Sequence, residues 1–479
     1  MKRILIAMAL LLAVALTAPC LIGAELSAAR DRVEITEQAL FGDPALAAGA
    51  TVHQTAQLDE HLLWQTAYPV GGAPLTDYRF SAGGLTFEHL TAYDGIHLSD
   101  HIEFGLNLRD PFDAMSGIEV AYYELFQETE PGTRSTKRVR LQDYYTYYPI
   151  RVEIDLPGTL WHGLDYERME SDDFVNERLV WDKFSEFFKI PIPENLPDME
   201  ISVTKNVNGS IGGTGSHMDK AGYALYVEAA YNADTCFFAI NNRIGDIGEP
   251  SGYIDTSLIP GGYGIYSFSY SNVLNERNSS GTSRTFHPGY QTGVNADSLA
   301  MVYPLEQHVS VRDMTVSADG SRLLLLTDDG AAITLTVIDV ATMTATQSFR
   351  LCDSAYVSIH QEDDFIIFFH NPGFSLFSVD DAGTYRLEIT ADQPSVTDDD
   401  FKYINTHAAM DFDGERLIMV DQLEEERYRA MLTCNFCVAV YDRSGLRYYG
   451  EYQSGLSANP DPNDYRYNCL PQEITVTWQ

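Results

Sequence analysis

The sequence predicts an all-β protein with one inserted helix. Beyond a short apolar leader, runs of β-branched and aromatic residues recur between turn signals along almost the whole chain. Some of these runs alternate with strict period two, as in Ile102, Phe104, Leu106 and Leu108, with His101, Glu103, Gly105 and Asn107 facing the other way. A single later segment instead spaces its apolar residues as a helix does.

Lys2 and Arg3 give the leader a positive start, and from Ile4 to Ala18 every residue but Thr17 is apolar. That is the pattern of an export signal, and Ile22-Gly23-Ala24 offers a cut before the polar stretch that begins at Glu25. Residues 4–24 also have about the 20-residue length of a membrane-spanning helix, so an N-terminal anchor is the alternative. Either way, residues 25–479 are expected outside the cytoplasm, secreted or tethered to the membrane by the N-terminus. No later run is long and apolar enough to span a bilayer.

The strands follow in order. Val33 to Leu40, Thr51 to Leu58, His61 to Tyr68, Tyr78 to Ala82 and Leu85 to Leu90 are separated by Asp59-Glu60, Gly71-Gly72 and Gly83-Gly84. Ile118 to Phe126, Lys137 to Leu141 and Asp143 to Asp155 are expected to continue as strands, the last rich in tyrosine at Tyr144, Tyr145, Tyr147 and Tyr148. The helix is expected at residues 171–190. Ser171, Asp172 and Asp173 can cap it, Phe174, Leu179, Phe184, Phe187 and Phe188 form its apolar face, and Pro191 and Pro193 end it. Strands resume at Glu200 to Thr204, Tyr223 to Tyr231, Cys236 to Ile240, Tyr263 to Tyr270 and Leu299 to Tyr303, with a long, mobile polar loop at residues 275–295.

From Val311 a unit becomes explicit. Val311 to Val316, Leu323 to Thr327, Ile333 to Asp339 and Ala345 to Leu351 read as four antiparallel strands, and Asp319-Gly320 suits the first hairpin turn. Four such strands in roughly 40 residues make one propeller blade. Weaker copies run through Phe365 to Ile389 and Asp411 to Tyr452, and Asp319 and Asp413 stand two repeats apart. This unit resembles the blade of the Tyr-Val-Thr-Asn family of bacterial propellers, relatives of the WD-repeat type. The resemblance rests on the Ser-x-Asp-Gly turn from Ser317 to Gly320 and on Val337-Ile338-Asp339-Val340-Ala341-Thr342 with Thr344. It departs where Leu324-Leu325-Leu326-Thr327 replaces the family's signature. The expectation is a β-propeller of about seven blades, with Glu473 to Trp478 closing the ring against Val33 to Thr36. The alternative is an N-terminal β domain followed by a C-terminal propeller-like domain.

With 69 acidic against 31 basic residues the formal charge is −38, so nucleic acid and anionic lipid surfaces are unfavourable partners. The same charge suits solubility, cations, or a basic protein or cell-wall polymer. Beyond Cys20 in the leader, Cys236, Cys352, Cys434, Cys437 and Cys469 are an odd number thinly spread, which does not indicate a disulfide framework.

Chemistry-bearing motifs are sparse. His97 and His101 in an extended segment would stand roughly 13 Å apart, too far to share an ion. Cys434 and Cys437 lack a second pair and sit beside the strand run Val438-Ala439-Val440-Tyr441, which makes them structural thiols. Asn208 to His217 is glycine-rich without a phosphate-loop ending, and is expected as a flexible hairpin loop. Asp398-Asp399-Asp400 and Asn459, Asp461, Asn463 and Asp464 carry oxygen ligands for calcium but fit solvated turns better. No other cofactor is indicated. Nucleophile-elbow, zinc-protease and kinase motifs are absent, and no catalytic residue is named. The expected function is therefore non-catalytic extracytoplasmic recognition or scaffolding. The alternative is a propeller-type glycan hydrolase or lyase with paired carboxylates.

Overall fold

The structure is a computed structural model that describes residues 17, 20–31, 33–58, 62–80, 95–99, 117–148, 151–155, 180, 182–194, 198–218, 227–240, 243–246, 249–270, 294–353, 357–362, 364–370, 373–380, 382–392, 408–425, 431–454 and 469–478. The predicted strand at 102–108, His101, both calcium candidates, the start of the predicted helix and most of the 275–295 loop lie outside these residues, as do residues 1–16 of the leader. Residues 20–30, which include Ala24, are helical. Among the described residues no helix is long and apolar enough to cross a membrane.

The fold is all-β and of propeller type: among the described residues the chain forms several four-stranded antiparallel sheets, within which most strands pair with the one that follows. It divides into two compact units, residues 1–89 with 357–479, and residues 90–356.

In the first unit one sheet takes Val357–Gln361, Phe365–His370, Gly373–Val379 and Tyr385–Asp392 in order. The next takes Ala409–Phe412, Leu417–Glu425, Met431–Asp442 and Gly445–Ser454, with Ile35–Gly42 as a fifth strand on its outer edge. The third joins both ends of the chain, Cys469–Trp478 pairing with Ala50–Leu58, followed by Leu62–Pro69 and Leu75–Phe80. The C-terminal strand thus closes a sheet against an early strand, but the partner is Ala50–Leu58 rather than Val33 to Thr36. Alternation explains the choice. Ala50 and Val52 offer an apolar face that joins Val476 in one core, whereas Ile35–Gly42 is largely exposed and serves as an edge.

The middle sheet is apolar on both faces. Met419, Cys437, Ala439 and Tyr441 pack on Phe365, Ile367 and Phe369, while Ile418, Val420, Phe436, Val438 and Val440 pack on the closing sheet. Each such Val, Ile, Phe or Met side chain contributes about 1.5–3 kcal/mol on burial. A strand covered on both sides has no need of polar alternation, which is why Leu323 to Leu326 and Phe365 to Phe369 read as unbroken apolar runs.

In the second unit Val227–Tyr231, Thr235–Ile240, Gly264–Tyr270 and Val294–Pro304 form one blade, and Ser310–Val316, Arg322–Asp328, Ala332–Asp339 and Thr344–Asp353 the next. The Asp319 carboxylate organises the predicted turn, accepting Ser317 Oγ at 2.6 Å, Ser321 N–H at 3.0 Å and Ser321 Oγ at 2.7 Å, while Gly320 supplies φ +73°. Those bonds hold Asp319 down to about 2. Asp413 does the same for its hairpin through the N–H groups of Glu415 and Arg416.

Three expectations are corrected here. Ile118 to Phe126 is not a strand, because Glu119–Glu128 is an α-helix that buries Ala121, Tyr122, Leu125 and Phe126 on one face. Among the described residues of the tyrosine-rich run, Asp143 ends a 3₁₀ turn, Tyr144 to Tyr148 form a loop, and Arg151–Asp155 is a strand. The rings of Tyr144, Tyr145 and Tyr148 serve the core, and Tyr145 Oη accepts the Ile118 N–H at 3.1 Å, just before the helix. Burial pushes Tyr145 up to about 12. Finally, the glycine-rich run forms a hairpin whose turn ends at Ser210, with Ile211–Met218 a strand paired to Met199–Lys205. Of the predicted 171–190 helix, residues 180 and 182–187 are helical, and Phe184 and Phe188 pack into the same core as Phe238 and Phe268.

Candidate functional site

The first strands of the two blades in the second unit, Val227–Tyr231 and Ser310–Val316, lie against each other. Val227, Ala229 and Tyr231 point to the core beneath the helix, so Glu228 and Ala230 face the neighbouring blade, where Ala230 packs with Val311 and Met314. On the opposite strand the pairing register slips between Val311 and Asp313, a β-bulge that leaves Arg312 as the extra residue. Bulges re-aim side chains. Here the bulge sends Arg312 to Asp328, whose fully buried carboxylate accepts Nε at 2.9 Å and also Nη2. Asp328 Oδ1 accepts the Gly330 N–H at 2.7 Å.

Glu228 and Asp313, both part-buried, thereby stand on adjoining strands of neighbouring sheets, within range for their charges to interact. Burial, then the Asp313 charge, pushes Glu228 up to about 7, with Arg312 pulling the other way. Burial pushes Asp313 up to about 6, against the Met314 N–H that its Oδ1 accepts at 2.7 Å. Near neutral pH the pair can hold a proton, donate it, or exchange it for a cation.

A folded-state value above the ordinary 4.5 for Glu228 has a definite sign. Its contribution to stability is full below about pH 4.5 and is lost as pH rises through about 7. Glu228→Gln should therefore raise Tm near pH 8 by about 2–4 °C, the shift that roughly 1 kcal/mol produces in a unit of this size, and should change nothing near pH 4. Thermal denaturation across pH reads this directly, and parallel curves for both proteins would rule it out.

The motifs singled out in the sequence do not assemble. His97 lies in Gly95–Ser99, opposite Glu153 in Arg151–Asp155. Cys434 and Cys437 both fall in Met431–Asp442, three apart and so on opposite faces; both are buried, and burial pushes the Cys437 thiol up to about 12. Cys236, Cys352 and Cys437 are free thiols. Among the described residues no three His, Cys, Asp or Glu side chains are grouped to hold a metal ion. Glu228 and Asp313 carry no local motif; the one sequence signal is a charged residue in an otherwise strand-like apolar run.

No protein family matches the chain. Nor does any curated protein. Among solved structures it is similar to a protein from Lactobacillus plantarum at 12% identity, over 58% of this chain and 67% of that one, with a TM-score of 0.24. A provisionally assigned 6-phosphogluconolactonase from Bacteroides uniformis matches at 12% identity over 53% of this chain and 63% of that one, TM-score 0.24. The β-propeller domain of Myceliophteria thermophila Cps50 (Swd1) matches at 9% identity over 53% of this chain and 82% of that one, TM-score 0.23. The chain thus spans about two thirds of the length of the bacterial proteins. Likeness at this level carries no activity across, and the blade assignment rests on the strand order itself.

Proposed function

We propose that this chain is an extracytoplasmic recognition protein of propeller type that takes a cationic group of a protein or polymer partner at Glu228 and Asp313. The observation that carries the reading is that these two carboxyl groups, on the adjoining first strands of neighbouring blades, interact through their charges while Arg312, the cation that acts on Glu228, is bonded to Asp328. An ammonium or guanidinium group placed between them would relieve their repulsion and satisfy both in the ionised form. The formal charge of −38 adds long-range attraction for a basic partner, and the export pattern of residues 1–24 suits a partner outside the cytoplasm.

Tetralysine is a simple probe. At low salt near neutral pH it should raise the Tm of the wild-type protein by a few degrees, and the effect should be largely lost in the Glu228→Gln, Asp313→Asn double variant. Equal shifts in both proteins would place the binding elsewhere on the acidic surface and overturn the proposal.

A second reading rests on both carboxyl groups standing above the ordinary carboxylate range, Glu228 through burial and the Asp313 charge and Asp313 through burial alone. A protonated Glu228 beside an ionised Asp313 is the arrangement of a general acid and its partner base, as a glycan hydrolase uses. Under that reading an amine-bearing glycan would be cleaved by the wild type and by neither single variant.

A further inference from the structure

In the first unit, Leu75–Phe80 is the outer strand of the closing sheet, paired only with Leu62–Pro69 among the described residues. Its apolar residues are unusually open: Leu75 is 71% exposed and Phe80 60%. Such an edge is a template for a further strand, which natural sheets usually blunt. We propose that this edge pairs with the same edge of a second copy, making a two-fold symmetric antiparallel dimer centred on Tyr78.

The strand's own geometry selects the occupant and the register. Tyr78 donates its N–H to Asp77 Oδ1 at 2.8 Å, so that group is not spent on the neighbouring strand. With the alternation of an antiparallel ladder, the main-chain groups of Thr76 and Tyr78 then face the open side. Two-fold pairing centred on Tyr78 sets that residue against its own equivalent. It also sets Asp77 opposite the partner's Arg79, and Arg79 opposite the partner's Asp77. These fall at the non-hydrogen-bonded positions, where cross-strand side chains approach most closely.

Neighbouring registers fail on charge. Sliding two residues one way places Asp77 against the partner's Asp77, and two residues the other way places Arg79 against the partner's Arg79. A one-residue slip turns every side chain to the wrong face. The sequence Leu75-Thr76-Asp77-Tyr78-Arg79-Phe80 is thus self-complementary in one register alone. In that register Asp77 exchanges the Tyr78 N–H for a guanidinium, and Tyr78 pairs main chain to main chain. Tyr78 is already braced from behind, its ring 5.8 Å from that of Trp64, and Thr76 is bonded to Thr66 through their hydroxyls at 3.1 Å. Arg30 interacts with Asp77 and Tyr78 through charge, but its hydrogen bond goes to Asp31 at 2.8 Å. A single strand pair covers little area, so the dimer is weak and salt-sensitive.

Sedimentation equilibrium of the full chain at low salt reads the dimer, with charge reversal as the control. Asp77→Arg and Arg79→Asp should each weaken self-association by about tenfold or more, because each sets like charges opposite each other twice. An equimolar mixture of the two variants should restore the dimer, since a strand with two arginines then meets a strand with two aspartates. Both substitutions lie on an exposed strand, and matching Tm values would show that the variants remain folded. A monomeric wild type, variants that dimerise as the wild type does, or a mixture that stays monomeric would each overturn the proposal.

Discussion

Replacing Asp328 by alanine is expected to destabilise the second unit by about 3–5 kcal/mol, the usual cost of removing one partner of a buried ion pair. The Asp328 side chain is fully buried, and its loss strands both the Arg312 guanidinium and the Gly330 N–H. Asp328→Asn keeps the shape and one acceptor and should cost visibly less. The same change frees Arg312 to turn toward Asp313 and Glu228, so the pH dependence that Glu228 confers should shift to lower pH in Asp328→Asn. Urea denaturation followed at several pH values measures both effects. A loss below about 1 kcal/mol in the alanine variant would show that the bulge at Arg312 is held by something else.

The second large effect belongs to the first unit. Phe436 is fully buried, with its ring stacked on Tyr452 at 5.0 Å and 2° and Tyr68 set edge-on to it at 6.3 Å. Tyr452 in turn shares a 2.7 Å hydroxyl bond with Tyr448, whose hydroxyl donates to Glu37 Oε1 at 2.9 Å. Phe436→Ala should cost about 3–5 kcal/mol through lost contacts and the cavity left behind. Phe436→Leu should cost much less, roughly 1.5 kcal/mol, because it preserves most of the volume. Gly450 explains why this cluster tolerates little rearrangement: a Cβ there would stand 2.1 Å from Tyr448 Oη. Equal costs for alanine and leucine, by urea unfolding, would contradict the role given to the stacked ring.

Much of the blade architecture is legible in the sequence because its signals are local. The Asp319-Gly320 turn, the strand pair around it and the two-blade spacing to Asp413 each follow from residues a few positions apart, and the structure places hairpins at both. The helix at Glu119–Glu128 was hidden by composition. Tyr122, Tyr123 and Phe126 are good strand formers, and what makes the segment helical is tertiary: Ala121, Tyr122, Leu125 and Phe126 bury one face, and Tyr145 meets the first N–H from a distant turn. The closing strand was legible as a closing strand, yet its partner was not, since several early runs offer similar alternation. The Glu228–Asp313 pair was invisible for a different reason. The two residues are distant in sequence, and they meet only because consecutive blades set their first strands side by side and a bulge displaces Arg312.

The central claim, that the Glu228–Asp313 pair receives a cationic group, is tested most directly by proton linkage. Titration calorimetry with tetralysine near pH 6.5, repeated in buffers of different ionisation enthalpy, counts protons released on binding. With Glu228 near 7 and Asp313 near 6 in the free protein, a cation that holds both in the ionised form must expel about one proton. The account predicts that release in the wild type and a fall to roughly a quarter of it in Glu228→Gln, where only Asp313 still carries a fractional proton. Binding without proton release, or with equal release in the variant, would contradict it.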